Sequence, residues 1–280
     1  MNLATSVLRF GCMAIALCVV PSCSAKLIRL GNQTAAEGLG GSSGTTGTLG
    51  SAVGMTGGGG GETVAGPGGD GGAAGANQTC PPAAVSANEV LWIGDSWILR
   101  PGTQHVRVRD LAREASAIGQ DEDYANLAAD AANMAAVAKQ YDTRESGSTK
   151  VKVLLMDGGT WDPIAAQMSG GSSAVPAAID NSISAFQQFL AKVANDGTVE
   201  HIVYFLQPEL PTVPGVATMR PRLQQACASS SVPCHFIDLQ PYWAGHSEYT
   251  AADGILPSDA GAVVIANLIW ATMQENCIAQ

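Results

Sequence analysis

Positive charge is scarce in this chain. Its 14 Lys and Arg are spread thinly over 280 residues against 24 Asp and Glu, giving a formal net charge of −10 and a pI near 4.7. No basic stripe remains to neutralise a phosphate backbone, so nucleic acid is not an expected partner. The cysteines include no Cys-x-x-Cys pair and no neighbouring histidine set, which argues against a zinc site. The N-terminal apolar run Cys12–Val20 is too short to span a bilayer stably. From Gly31 to about Asn77 apolar periodicity is missing: Gly, Ala, Ser and Thr dominate, with five consecutive glycines at Gly57–Gly61. Such a stretch has too few buriable side chains to fold by itself and reads as a flexible tether.

The N-terminus carries the targeting information. A lone Arg9 precedes the run Cys12–Val20, which has the length of a secretory h-region. The following Val20-Pro21-Ser22-Cys23 resembles a bacterial lipobox, with Cys23 as the residue to be lipidated and Pro21 as a departure from the preferred pattern. The expected organisation is a signal peptide over 1–23, a disordered tether over 24–79 and one folded domain over 80–280. A tether of that length has an r.m.s. reach of roughly 35–45 Å, enough to hold a domain clear of a membrane. The expected location is the bacterial cell envelope, with contact to the membrane through a lipid anchor only, or otherwise the periplasm or exterior.

Four cysteines lie beyond the tether: Cys80, Cys227, Cys234 and Cys277. In an exported protein an even count favours disulfides. Of three pairings, Cys227–Cys234 would close a short helix-to-strand connection. Cys80–Cys277 would fasten the two ends of the domain, which often lie close in space.

Beyond Cys80, short apolar runs alternate with amphipathic stretches. The runs Glu89–Ile93, Val151–Met156, His201–Leu206 and His235–Leu239 read as parallel strands buried on both faces. Helices are expected at about 103–118, 129–140, 177–195, 217–229 and 258–275. Ile183, Phe186, Phe189, Leu190 and Val193 share one helical face. The alternation predicts an α/β fold, a three-layer α/β/α sandwich around a central parallel sheet of flavodoxin-like type, with ligands at the carboxyl ends of the strands.

Three segments at that edge carry candidate chemistry: Ile93-Gly94-Asp95-Ser96-Trp97, Met156–Asp162, and Asp253–Gly261 before the last helix. In this order and spacing they resemble the SGNH/GDSL hydrolases over about residues 89–275. The resemblance implies a serine hydrolase of carboxylic esters, of carbohydrate O-acyl or lipid type, that needs no cofactor. It implies Ser96 as nucleophile and Ala131, in the place of the family's second-block glycine, as a backbone donor to the oxyanion. Gly159 belongs to the third block, Gly159-Thr160-Trp161-Asp162, where Trp161 replaces the family's asparagine; an indole N–H is also a donor.

The fourth block departs further. The family's Asp-x-x-His corresponds to Asp253-Gly254-Ile255-Leu256, and leucine cannot accept a proton. Three readings follow. His246, the one histidine in the final loop, swings in as base beside Asp253; or Asp253 contacts Ser96 directly or through water; or the domain is an inactive relative that binds an ester- or sugar-bearing ligand. His105, His201 and His235 are expected to be structural, as is Trp92. Trp97 and Trp161 are divided between ligand contact and packing, with Tyr242 and Trp243 as further rim candidates. Asp95 is expected to bond the turn's backbone, and Asp157 and Asp162 alone do not make a metal site.

Overall fold

The computed structural model describes Cys80 and residues 85–99, 104–145 and 150–279. The expected signal peptide, Cys23 and the tether lie outside the described residues.

Five strands form one sheet: β1 (Val90–Ile93), β2 (Ala125–Asn126), β3 (Val153–Met156), β4 (His201–Leu206) and β5 (Cys234–Asp238). Their order is β2-β1-β3-β4-β5, and every neighbouring pair is parallel. The helices between them are α1 (Ser96–Leu99), α2 (Gln104–Glu114), α3 (Met134–Glu145), α4 (Trp161–Gly170), α5 (Val175–Asp196), α6 (Val216–Ala228), α7 (Gln240–Trp243) and α8 (Asp259–Glu275). No described helix is long and apolar enough to cross a membrane.

Alternation along the strands sorts their side chains onto two faces. Leu91, Ile93, Leu154, Met156, Ile202 and Tyr204 face a core completed by α3, α5 and α6. Val90, Trp92, Val153, Leu155, Val203 and Phe205 face a second core completed by α2 and α8. The result is the expected three-layer sandwich. Both faces of the sheet are buried, which is why the strands are almost continuously apolar. Ile183, Phe186, Phe189, Leu190 and Val193 of α5 are all buried, as their spacing predicts.

The differences from the sequence reading are local. The helix expected from residue 129 starts at Met134, because Asp130 and Ala131 form a turn in which Ala131 takes φ 55°, outside the helical region. The glycine loop after β3 gives way at Trp161 to a helix that the sequence reading omits. The two-residue β2 was also unforeseen.

Both expected disulfides are present: Cys80–Cys277, spanning 197 positions, and Cys227–Cys234, spanning seven. The first ties the domain's start to the second residue after its last helix. His105 bonds the Tyr124 carbonyl at 3.2 Å and meets the Trp92 ring edge-on. His201 and His235, at the starts of β4 and β5, bond each other at 3.2 Å, and burial lowers both their pKa values.

Cross-linking stabilises mainly by restricting the unfolded chain, so the longer loop matters more. Replacing Cys80 and Cys277 together by Ser is expected to cost about 4–5 kcal/mol, against about 2–3 kcal/mol for the Cys227/Cys234 pair. Denaturant unfolding of the two double variants would check the ranking.

Candidate active site

β1 ends at Ile93, and the chain turns at Gly94. A Cβ at that position would lie 1.8 Å from Asp157 Oδ1, so only glycine fits. Gln140, from α3, clamps the same peptide: its side-chain amide donates to the Gly94 carbonyl at 2.9 Å and accepts from the Gly94 N–H at 2.7 Å. The next N–H, of Asp95, donates to Asp157 Oδ1 at 2.8 Å. Asp95 Oδ1 in turn accepts from the Trp97 N–H at 3.0 Å, the backbone role expected of it. These bonds fix the start of α1, and Ser96 is its first residue.

Asp95 and Asp157 are both fully buried. Burial pushes both carboxyls up, and the neighbouring Asp95 charge pushes Asp157 further. Asp157 therefore holds its proton to a higher pH than an ordinary carboxyl, which eases the placing of two carboxyl groups in a dry site.

A second segment arrives from β2. The Leu127 N–H donates to the Trp92 carbonyl and the Ala129 N–H to the Gly94 carbonyl, extending the pairing with β1 past the strand end. That extension sets the Asp130–Ala131 turn beside Ser96. The Ala131 N–H donates to Ser96 Oγ at 3.0 Å. Ser96 Oγ donates to Asp130 Oδ1 at 2.5 Å. Ala131 adopts the positive φ that glycine takes most easily, a conformation in keeping with a glycine-equivalent position.

The third segment follows β3. Gly159 has φ 93°, and a Cβ there would lie 2.9 Å from Ser182 Oγ. Its carbonyl accepts from that hydroxyl at 3.3 Å. Trp161, half-buried, opens α4. Asp162 Oδ2 accepts the Met134 N–H at 2.9 Å, and burial raises its pKa. Asp157 and Asp162 thus each accept a backbone N–H.

The final loop does not bring its candidates to Ser96. Asp253 Oδ1 accepts the N–H groups of Ile255 and Leu256, each at 2.9 Å, and so organises its own turn. His246 is exposed, bonded through Nδ1 to Glu248 Oε1 at 2.8 Å and stacked on Tyr249 with ring centroids 4.5 Å apart. Among the described residues no hydrogen bond joins Ser96 to His246 or Asp253. In place of the expected Ser96–His246–Asp253 hydrogen bonds, Asp253 and His246 bond groups of their own loop. Leu256 is buried in the α8-side core, 8% exposed.

Trp97, weighed between ligand contact and packing, is 2% exposed and belongs to that same core, its ring tilted at 42° to that of Trp243 with centroids 5.9 Å apart. Its place in the first turn of α1 directs it inward, away from the surface. Trp243 lines a cleft of about 480 Å3 with Glu209, Gln240, His246, Thr250 and Gly254, beyond the carboxyl ends of β4 and β5. A larger cavity, about 660 Å3, lies between α5 and α6 and contains none of these residues. The sequence reading missed Asp130 and Gln140. Asp130 was adjacent to Ala131 in the second block, but Gln140 carried no local signal.

No protein-family model matches the chain, and no curated protein matches it. Solved structures do resemble it. An acetyl xylan esterase aligns at a TM-score of 0.53 with 13% identity, over 65% of this chain and 98% of that one. An enzyme from the metagenome of Lake Arreo, Spain, described as an alpha/beta hydrolase, aligns at 0.52 with 15% identity, over 69% and 97%. A catalytic mutant of an acetylxylan esterase from Geobacillus stearothermophilus aligns at 0.52 with 15% identity, over 68% and 94%. At these identities the likeness is one of fold: the domain has an esterase-type hydrolase fold.

Because Asp157 has a folded pKa above its ordinary value of 3.8, its contribution to stability is complete below that value and is lost as pH rises through the folded pKa. Asp157→Asn keeps an oxygen for the Asp95 N–H and removes the carboxyl group that burial pushes up. Its thermal midpoint is expected to fall less than the parent's between about pH 5 and about pH 9. Calorimetry at the two ends of that range would check the difference.

Proposed function

We propose that the protein is an exported SGNH-type serine hydrolase of carboxylic esters. The observation that carries the reading is Ser96 Oγ at the carboxyl edge of a parallel sheet, with the Ala131 N–H 3.0 Å away. In an acyl transfer Ser96 attacks the carbonyl carbon, and the charge that develops on the carbonyl oxygen needs fixed donors. Ala131 supplies one. The N–H of Ser96, at the first helical position and without an intrahelical acceptor, supplies the second.

Carbohydrate O-acyl esters are the favoured substrate class. The neighbours in fold include acetyl xylan esterases. The cleft beyond the carboxyl ends of β4 and β5 presents Glu209, Gln240 and Thr250 around Trp243, a mixture suited to a hydroxyl-bearing ring more than to a long acyl chain. Proposed placement in the bacterial envelope, through a lipid on Cys23 and the Gly-rich tether, is supported by two disulfides in the folded domain, which belong to an oxidising compartment.

Hydrolysis of a short-chain aryl acetate by the full chain tests this reading. Ser96→Ala is expected to lower kcat/KM by at least about a thousandfold. A rate indifferent to Ser96 would contradict it and favour an inactive, ligand-binding domain. His246→Ala is expected to stay within about twofold of the parent, since its imidazole is engaged with Glu248 and Tyr249.

A further inference from the structure

We propose that Asp130 is the base that takes the Ser96 proton, the role an apolar residue at position 256 cannot fill. The inference rests on the ester-hydrolase reading above. Its observation is separate: the hydroxyl of Ser96 donates directly to Asp130 Oδ1 at 2.5 Å, with no intervening imidazole.

Elimination among the neighbours points the same way. Asp95 and Asp157 are buried and accept backbone N–H groups, Asp157 from Asp95 and Asp95 from Trp97. Asp162 holds the N-terminus of α3. Asp253 holds its own turn, and His246 is engaged elsewhere. Asp130 is exposed at the rim, where a substrate can reach it, and Ser96 is its side-chain partner among the described residues. Its position is not accidental to the turn. The bonds from Leu127 and Ala129 to β1 fix both the carboxylate and the Ala131 donor with respect to one oxygen. Base and oxyanion donor therefore come from two consecutive residues.

The step balances without a cofactor. The Ser96 proton passes to Asp130 Oδ1 as the bond from Oγ to the carbonyl carbon forms, and the carbonyl electron pair moves onto oxygen. Collapse breaks the bond to the leaving alkoxide, which takes the proton from Asp130 and departs as an alcohol. Water then attacks the acyl carbon, gives a proton to Asp130, and the Ser96–acyl bond breaks. Ser96 recovers its proton from Asp130, leaving a carboxylic acid.

The test compares the full chain with Asp130→Asn, Asp130→Glu and Ser96→Ala on an aryl acetate. Asparagine keeps an acceptor oxygen but cannot take a proton, and at an exposed position it leaves the fold intact, as an unchanged thermal midpoint would document. Asp130→Asn is expected to lower kcat about 10²–10³-fold with KM within about threefold, and Asp130→Glu to recover part of that loss. If Asp130→Asn keeps the parent kcat while Ser96→Ala abolishes it, the inference is overturned and the esterase reading stands. Equal kcat for the Asn and Glu variants would overturn it as well. If Ser96→Ala matches the parent, both fall.

Discussion

The turn after β1 is the constraint on which the rest of the site depends. Gly94 passes so close to Asp157 that no side chain could be added, and Gln140 holds its peptide from the other side. Burial and the neighbouring carboxyl push the Asp157 pKa up, which makes that approach tolerable, since two ionised carboxylates in a dry interior would repel. Their stability comes with a directional effect: the Asp95 N–H and the Trp97 N–H are both held by carboxyl oxygens, so α1 can start only where Ser96 meets solvent. Burial of Trp97 beneath it anchors the same turn in the α8-side core.

From this fixed point the two neighbouring segments take their positions. The chain after β2 continues to bond β1 and delivers Asp130 and Ala131. The chain after β3 delivers Asp157 and, through Asp162, the start of α3. α3 then returns Gln140 to Gly94, closing a loop of mutual support. By contrast, the final loop is organised internally: Asp253 satisfies its own turn, and Leu256 joins the core. On the proposed ester-hydrolase reading, Leu256 cannot act as a base, and the proton acceptor must come from the three segments around Ser96. Asp130 meets that need by position alone.

The architecture was legible because strands buried on both faces become unbroken apolar runs, and α5 presents its buried face at regular spacing. Elements without such a stripe were not. β2 is an Ala-Asn pair whose partners are set by backbone bonds. α4 begins with Trp161, Asp162 and Pro163 after two glycines, a composition that reads as a turn. At the site, Ser96 and Ala131 could be placed by motif and order. The Asp130 contact could not, since it depends on how residues 34 positions apart are aligned by the edge of a sheet. Trp97 stayed divided between ligand contact and packing because proximity to Ser96 in sequence does not say which way a helical side chain points.

The central claim is that Ser96 is a nucleophile whose oxygen is activated within this cluster. Treating the full chain with a small fluorophosphonate ester and mapping the adduct by peptide mass spectrometry tests it most directly. The account predicts a single phosphonylated residue, Ser96. Labelling that is absent, or that falls on other residues in preference to Ser96, would contradict it.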